Sequence, residues 1–356
     1  GTVPKANAGQ KDTEAGRGFR RISLYPRPHG TAHKHGTMKV KEILAASDRT
    51  LISFELLPPL KGGDIGKVYN AIEPLMEFSP SFINLTYHRD EEVIRQRPDG
   101  TLERITVTKR PGTVALAAAI MKRYDVEVVP HLVCGGLDRH TIENILIDLN
   151  FLDIDNVMAL RGDPAPGERF FTPTRGGHAY CSDLVRQISD MNRGVYLDEL
   201  QQNPIPTHFC IGVAGYPEKH YESPNLSQDI RNLKRKVDAG ADYIVTQLFF
   251  DNARFFDFVE RCRAEGITVP IIPGLKPVSS LKHLEMLPRT FHIDMPETLT
   301  EELSRCRTDE QAKEVGIEWS VGQAKELKAA GVPAIHFYTM SRSGNICEIL
   351  KRLFQS

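Results

Sequence analysis

The chain has a single tryptophan, six cysteines in 356 residues and a formal net charge of −1. Each scarcity narrows what the protein can be. Near-zero net charge gives no bulk attraction to nucleic acid or to an anionic membrane. The cysteines, at 134, 181, 210, 262, 306 and 347, lie 29 residues or more apart, and no CxxC pair occurs. That spacing speaks against a zinc site or redox dithiol, so no metal is expected. Three cysteines fall in apolar strand or helix patterns, as buried thiols do in a reducing, cytoplasmic compartment. The longest apolar run is eight residues, Val114–Met121, too short to span a bilayer. No GxGxxG follows a strand pattern and no GxxxxGK[ST] occurs, so nothing marks the phosphate loop of a doubly wound sheet. There is no internal repeat, low-complexity linker or second domain.

What is present divides unevenly. Residues 1–37 are rich in Gly, Arg, Lys and His, lack apolar periodicity and carry only Asp12 and Glu14 as acids. They read as a disordered or extraneous extension, with too little apolar surface to order. A single Ser and no amphipathic helix set them apart from a transit peptide. From Met38 to residue 356 the chain alternates short apolar strands with helical patterns. Strands are expected at 50–56, 82–87, 127–133, 156–160, 209–214, 243–248, 269–273 and 334–338. Most of them read as continuous apolar runs, which fit a parallel sheet buried on both faces. Helices are expected between them, with two extra ones near 297–306 and 308–330 before the last strand. Eight such units in about 310 residues predict one α/β domain, a (β/α)8 TIM barrel.

In that architecture the active site lies where the strands end. Strand one ends SFELLPP, and Glu55 interrupts its apolar run. A carboxylate there is costly unless paired or used. It is either a salt bridge to an inner Arg or Lys, or a general acid with a raised pKa. Strand two ends at Thr86 and Tyr87, and strand three carries His131 before Gly135–Gly136, which lets a ligand approach the backbone. Strand four ends in Arg161, Gly162 and Asp163, either a turn cap or a reader of a heterocycle's donors and acceptors. Strand five leads to Tyr216, Glu218 and His220. The next helix carries Asp229, Asn232, Arg235 and Lys236 on one face, either solvated or a rail for ribose and pyrophosphate. Gln247 ends strand six and offers donor and acceptor, while Tyr338 and Arg342 end strand eight.

The ordered motifs SFELLPP, LTYH, PHLVC, ALRGDP, YPEKH, LKRKVDAGAD, TQLFFD, PIIPGLKP and HFYTMSR resemble the methylenetetrahydrofolate reductase family over roughly residues 38–356. The resemblance implies a short, bacterial-type barrel that holds FAD. NADH or NADPH reduces the flavin and leaves; methylenetetrahydrofolate then takes the hydride, giving 5-methyltetrahydrofolate for methionine synthesis. By the same resemblance Glu55 and Asp163 are catalytic. Thr86, Tyr87, His131, Arg161, Gly162, Asp163, Cys181, Tyr216, His220, Asp229, Asn232, Arg235 and Lys236 contact the cofactor. Thr86, Asp163, Gln247, Tyr338 and Arg342 contact the substrate, and a homo-oligomer is expected. Departures are Glu-Leu-Leu-Pro-Pro for Glu-Phe-Phe-Pro-Pro, Cys181 for a frequent Ala, Leu287 where some bacterial members place an aromatic that packs on the ligand, and His283 in place of a polar substrate contact. The rival readings are a flavin-free folate-binding barrel methyltransferase and a proline-dehydrogenase-like flavin barrel.

Overall fold

The computed structural model describes residues 38–340 and 343–354. The extension 1–37 lies outside the described residues. Eight parallel strands close into a barrel. In chain order they are β1 (Leu51–Leu56), β2 (Phe82–Leu85), β5 (Glu127–Val133), β6 (Asn156–Leu160), β7 (Cys210–Gly215), β8 (Tyr243–Leu248), β9 (Ile271–Leu275) and β10 (Ala334–Tyr338). Neighbours in sequence are neighbours in the barrel, and β10 pairs with β1 to close it. All eight expected strands are present, with ends shifted by at most two residues at most termini because Gly and Pro end the ladders softly.

The helices α2 (Gly66–Met76), α3 (Thr113–Tyr124), α4 (Arg139–Phe151), α5 (Cys181–Met191), α6 (Leu226–Asp238), α7 (Asn252–Ala264), α8 (His283–Phe291) and α11 (Gly344–Phe354) follow successive strands. The extra pair α9 (Glu297–Arg305) and α10 (Asp309–Ala329) precedes β10, as expected. Strand periodicity splits the apolar residues into two cores. Ile52, Phe54, Ile83, Val128, Ile211, Ile244 and Leu275 face the helices. Phe82, Val129, Met158, Cys210, Tyr243, Val245, Ile272 and Ala334 fill the barrel interior. Gly212 is needed there: a Cβ would lie 2.5 Å from the Tyr243 ring.

One end of the barrel is closed by α1 (Val40–Ala45), whose Val40 and Leu44 join the interior core. Asn156 grips the entering segment from both sides. Its Oδ1 accepts the Val40 N–H at 2.8 Å and its Nδ2 donates to the Met38 carbonyl at 3.0 Å. Glu127 accepts the Met38 N–H at 2.8 Å. The strand C-termini, at the opposite end, form the open mouth.

One element is absent from the sequence expectation. Residues 88–112 contain an antiparallel hairpin, β3 (Glu91–Gln96) and β4 (Leu102–Val107). Its turn is closed by the Arg97 N–H donating to the Thr101 carbonyl at 2.8 Å, with Gly100 at φ +83°. The charges sit side by side, Glu91–Glu92 in one strand and Glu103–Arg104 in the other, and much of the hairpin is exposed, so there is little apolar contrast to read. Its base is tied to the loop after β1. The Lys61 N–H donates to the Lys109 carbonyl at 2.7 Å, and the Arg110 guanidinium to the Pro58 carbonyl.

Candidate active site

The inward row of β1 carries Ser53 and then Glu55. Register places Glu55 beside Tyr338 on β10 and Asn84 on β2. Glu55 Oε2 lies 3.8 Å from Nε2 of His131, which contacts Asn84 Nδ2 at 3.2 Å. This is not an ion pair at neutral pH. Burial pushes His131 down to about 3 and Glu55 up to about 7, the latter opposed by the charge of Lys276. Burial thus keeps His131 uncharged and lets Glu55 hold a proton far higher in pH than an ordinary carboxyl. The Asn84 amide oxygen is buried without a partner. One layer deeper, Ser53 Oγ meets His336 Nδ1 at 2.9 Å.

Tyr338 rises from the same row. Its hydroxyl donates to the Thr246 carbonyl at 2.6 Å, bridging β10 to β8. The ring crosses β9 at Gly274, where a Cβ would lie 2.6 Å from Tyr338 Cε2. The β8–β9 ladder is irregular between Val245 and Leu248, and within that irregularity Gln247 turns its Oε1 back to its neighbour's N–H, Leu248, at 2.9 Å. Thr86 follows β2. Its backbone N–H donates to the Leu56 carbonyl and its hydroxyl meets His88 Nε2 at 3.3 Å. Tyr87 packs partly buried on the helix-facing core.

The opposite rim is polar and aromatic. Arg161 stacks over Phe171 at 4.9 Å and donates to Glu222 at 2.6 Å. Burial is the largest single influence and opposes its charge, but the hydrogen bond and charge of Glu222, with Tyr221 and Tyr216, together outweigh it and its pKa is raised. Gly162 takes φ +86°, which places the exposed Asp163 past the strand end. Tyr216, His220, Tyr221 and His292 form an aromatic ladder with centroid spacings of 4.9, 4.7 and 4.6 Å. Lys236 donates to the Ala214 carbonyl at 2.9 Å, 5.9 Å from the Tyr216 ring centre.

Helix α6 starts with Asn225 capping the Gln228 N–H. Asp229 in its first turn is buried and already engaged. It accepts the His220 N–H at 3.1 Å and the Ser223 hydroxyl at 2.7 Å, folding the β7 loop onto the helix. Asn232 accepts from Gln228 at 3.1 Å, and Arg235 is exposed one turn on. Cys181 opens α5, and its thiol donates to the Ala159 carbonyl at 3.1 Å. Burial pushes that thiol up, so it is a packing group rather than a nucleophile.

The structure therefore gathers Glu55, Thr86, His131, Gln247 and Tyr338 around the mouth. Arg161, Gly162, Asp163, Tyr216, His220, Asp229, Asn232, Arg235 and Lys236 follow the β6–α6 rim. Arg342 lies outside the described residues. The glycines after β5 are approached by the chain itself: a Cβ at Gly135 would lie 3.3 Å from Phe171, and one at Gly136 3.0 Å from Arg89. Leu287 is fully buried with Leu248, Val278 and Leu299. The sequence reading missed Asn84, Glu222 and Lys276. Period-two alternation from Phe82 and from Ile272 would have turned Asn84 and Lys276 inward; nothing local marks Glu222 as a partner of Arg161.

A family model for methylenetetrahydrofolate reductase matches residues 39–354. Methylenetetrahydrofolate reductase 1 of Schizosaccharomyces pombe is 32% identical over 321 residues, 89% of this chain and 48% of the relative. The 5,10-methylenetetrahydrofolate reductase of Salmonella typhimurium is 31% identical over 82% of this chain and 86% of its own length. The chain spans about half the length of the curated eukaryotic relatives it matches. Among solved structures, an uncharacterized protein from Clostridium thermocellum that binds two copies of 5-methyl-5,6,7,8-tetrahydrofolic acid aligns with a TM-score of 0.50. That alignment is 14% identical and covers 88% of this chain and 97% of the other, a likeness of fold alone.

Proposed function

Because this chain belongs to the methylenetetrahydrofolate reductase family, we propose that it reduces 5,10-methylenetetrahydrofolate to 5-methyltetrahydrofolate with NAD(P)H, using bound FAD. The observation that supports this reading most is Glu55. It is a carboxyl at the inner rim, held near pH 7 by burial, with a neutral histidine beside it. Such a group, unlike an ordinary carboxyl, is still partly protonated at neutral pH and releases its proton readily.

The donor set on the rim fits a flavin dinucleotide. Arg161, Arg235 and Lys236 are three cations of the kind that hold a pyrophosphate, and Tyr216 and His220 offer ring faces. Asp229 and Asn232 sit on the same helical face as the two α6 cations. The partnerless Asn84 oxygen and Thr86 supply polar contacts nearer the barrel axis. When bound, the flavin would supply two-electron chemistry, accepting hydride equivalents from the nicotinamide and delivering them to the folate.

The residues do the rest. Glu55 donates its proton to the folate nitrogen: its O–H bond breaks, an N–H bond forms, and the five-membered ring opens to an iminium. His131, uncharged, leaves that proton on Glu55 rather than competing for it. Gln247 and Tyr338 orient the substrate across the mouth, and Asp163 faces the reacting end from the β6 rim. The exchange is ping-pong, both substrates using one face in turn.

Purified protein should be yellow. Anaerobic NADH or NADPH should bleach it, and methylenetetrahydrofolate should restore the colour while 5-methyltetrahydrofolate appears. A colourless protein that binds folate would instead favour the flavin-free methyltransferase reading.

A further inference from the structure

We propose that Lys276 is a positioning residue that sets the proton affinity of Glu55. The placement comes from strand register. Glu55 pairs with Tyr338 between β1 and β10, and Leu275 pairs with Phe337 between β9 and β10. Lys276, one residue beyond Leu275, is therefore level with Tyr338 and with Glu55. Alternation fixes its side: Ile272 lies in the barrel-interior core, whereas Ile271 and Leu275 face the helices. Gly274 and Lys276 share the inward face with Ile272. Because Gly274 has no side chain, the Tyr338 ring leans across it to Thr246, below the level of Lys276. Lys276 is half-buried at that level.

The groups facing Glu55 come from four strands. They are Asn84 on β2, His131 on β5, Lys276 after β9 and Tyr338 on β10. Asn84 is uncharged, and burial keeps His131 neutral and pushes the Tyr338 phenol well up. Among the described residues, Lys276 is the cation whose field reaches the Glu55 carboxyl and opposes its burial. The chemistry needs such a charge. When Glu55 gives up its proton, the electron pair of the O–H bond stays on the carboxylate, in a place that disfavours anions. An ammonium on the same row stabilises that carboxylate without taking the proton. This rests on the reading of Glu55 as the acid.

The test compares Lys276→Met, which keeps the stem and removes the charge, with Lys276→Arg, which keeps it. In the flavin-loaded enzyme, reoxidation by methylenetetrahydrofolate should fall as pH rises through the Glu55 pKa. In Lys276→Met that limb should move up by about one pH unit, the low end for a close opposite charge. Lys276→Arg should restore it. In flavin-free protein, carbon-13 resonance of labelled glutamate carboxyls, with Glu55→Gln for assignment, should show the same upward move. If limb and resonance both stay at the wild-type pH, or only the folate KM changes, the inference is wrong and Lys276 is at most a substrate contact. If wild type fails to reoxidise, or Glu55→Gln reoxidises at the wild-type rate, the underlying reading of Glu55 fails instead.

Discussion

Gly274→Ala adds one methyl group where the barrel has no room for it. The position is inward on β9, and the glycine's φ is not in the left-handed region, so the penalty is steric. A Cβ there would stand 2.6 Å from Tyr338 Cε2 and 2.9 Å from its hydroxyl, and would press on the Thr246 carbonyl oxygen. The carbonyl belongs to a barrel strand, and the Tyr338 ring is backed by His336 at 5.1 Å. The ring must therefore swing out and release its 2.6 Å bond to Thr246. Overpacking costs about 1–3 kcal/mol, and a buried acceptor left unsatisfied about 1–3 kcal/mol. The sum, about 2–6 kcal/mol, should appear as a lower urea midpoint at unchanged slope. Tyr338→Phe already lacks the bond, so Gly274→Ala should cost at least about 1 kcal/mol less in that background. A cost below about 1 kcal/mol, or equal costs in both backgrounds, would refute the steric reasoning.

A glycine in open space should behave oppositely. Gly322 is exposed inside α10 with nothing near its missing Cβ, so Gly322→Ala should stabilise by about 0.5–1 kcal/mol in the same urea assay. Glu127, at the closed end, is pushed up by burial from 4.5 to about 7. A raised acid favours the folded state while protonated, so its contribution is present below about pH 4.5 and lost as pH rises toward 7. The change is at most about 3.5 kcal/mol, at ~1.4 kcal/mol per pH unit. Glu127→Gln should flatten that part of a stability–pH curve. On α6, Arg235 is exposed whereas Lys236 ties the helix to the Ala214 carbonyl. Arg235→Ala should weaken flavin retention about tenfold, the low end for a charged hydrogen bond. It should leave flavin-free stability unchanged, whereas Lys236→Ala should lower both, as dialysis and thermal melts would show.

The barrel was legible because most of its strands read as short, largely apolar runs alternating with helical patterns, and because parallel strands need both faces covered. Glu55 was legible for a related reason: a carboxylate between Phe54 and Leu56 contradicts its surroundings. The β3–β4 hairpin was not legible, since Glu91–Gln96 and Leu102–Val107 bury too little to carry a periodic signal. Pairings that close the rim were equally hidden. Arg161 finds Glu222 61 residues away, and Tyr338 finds Thr246 92 residues away. Such contacts depend on where loops end in space. Asp229 shows a further gap: its helical face was readable, but its commitment to the β7 loop was not.

The central claim is that Glu55 holds the proton that opens the folate ring and does nothing essential for flavin reduction. Stopped-flow absorbance of the flavin in Glu55→Gln measures the two steps separately. Reduction by NAD(P)H should stay near the wild-type rate. Reoxidation by methylenetetrahydrofolate should fall by at least roughly 10²-fold, the low end for a positioned general acid. Reoxidation at the wild-type rate would contradict the account, and so would a collapse of reduction along with it.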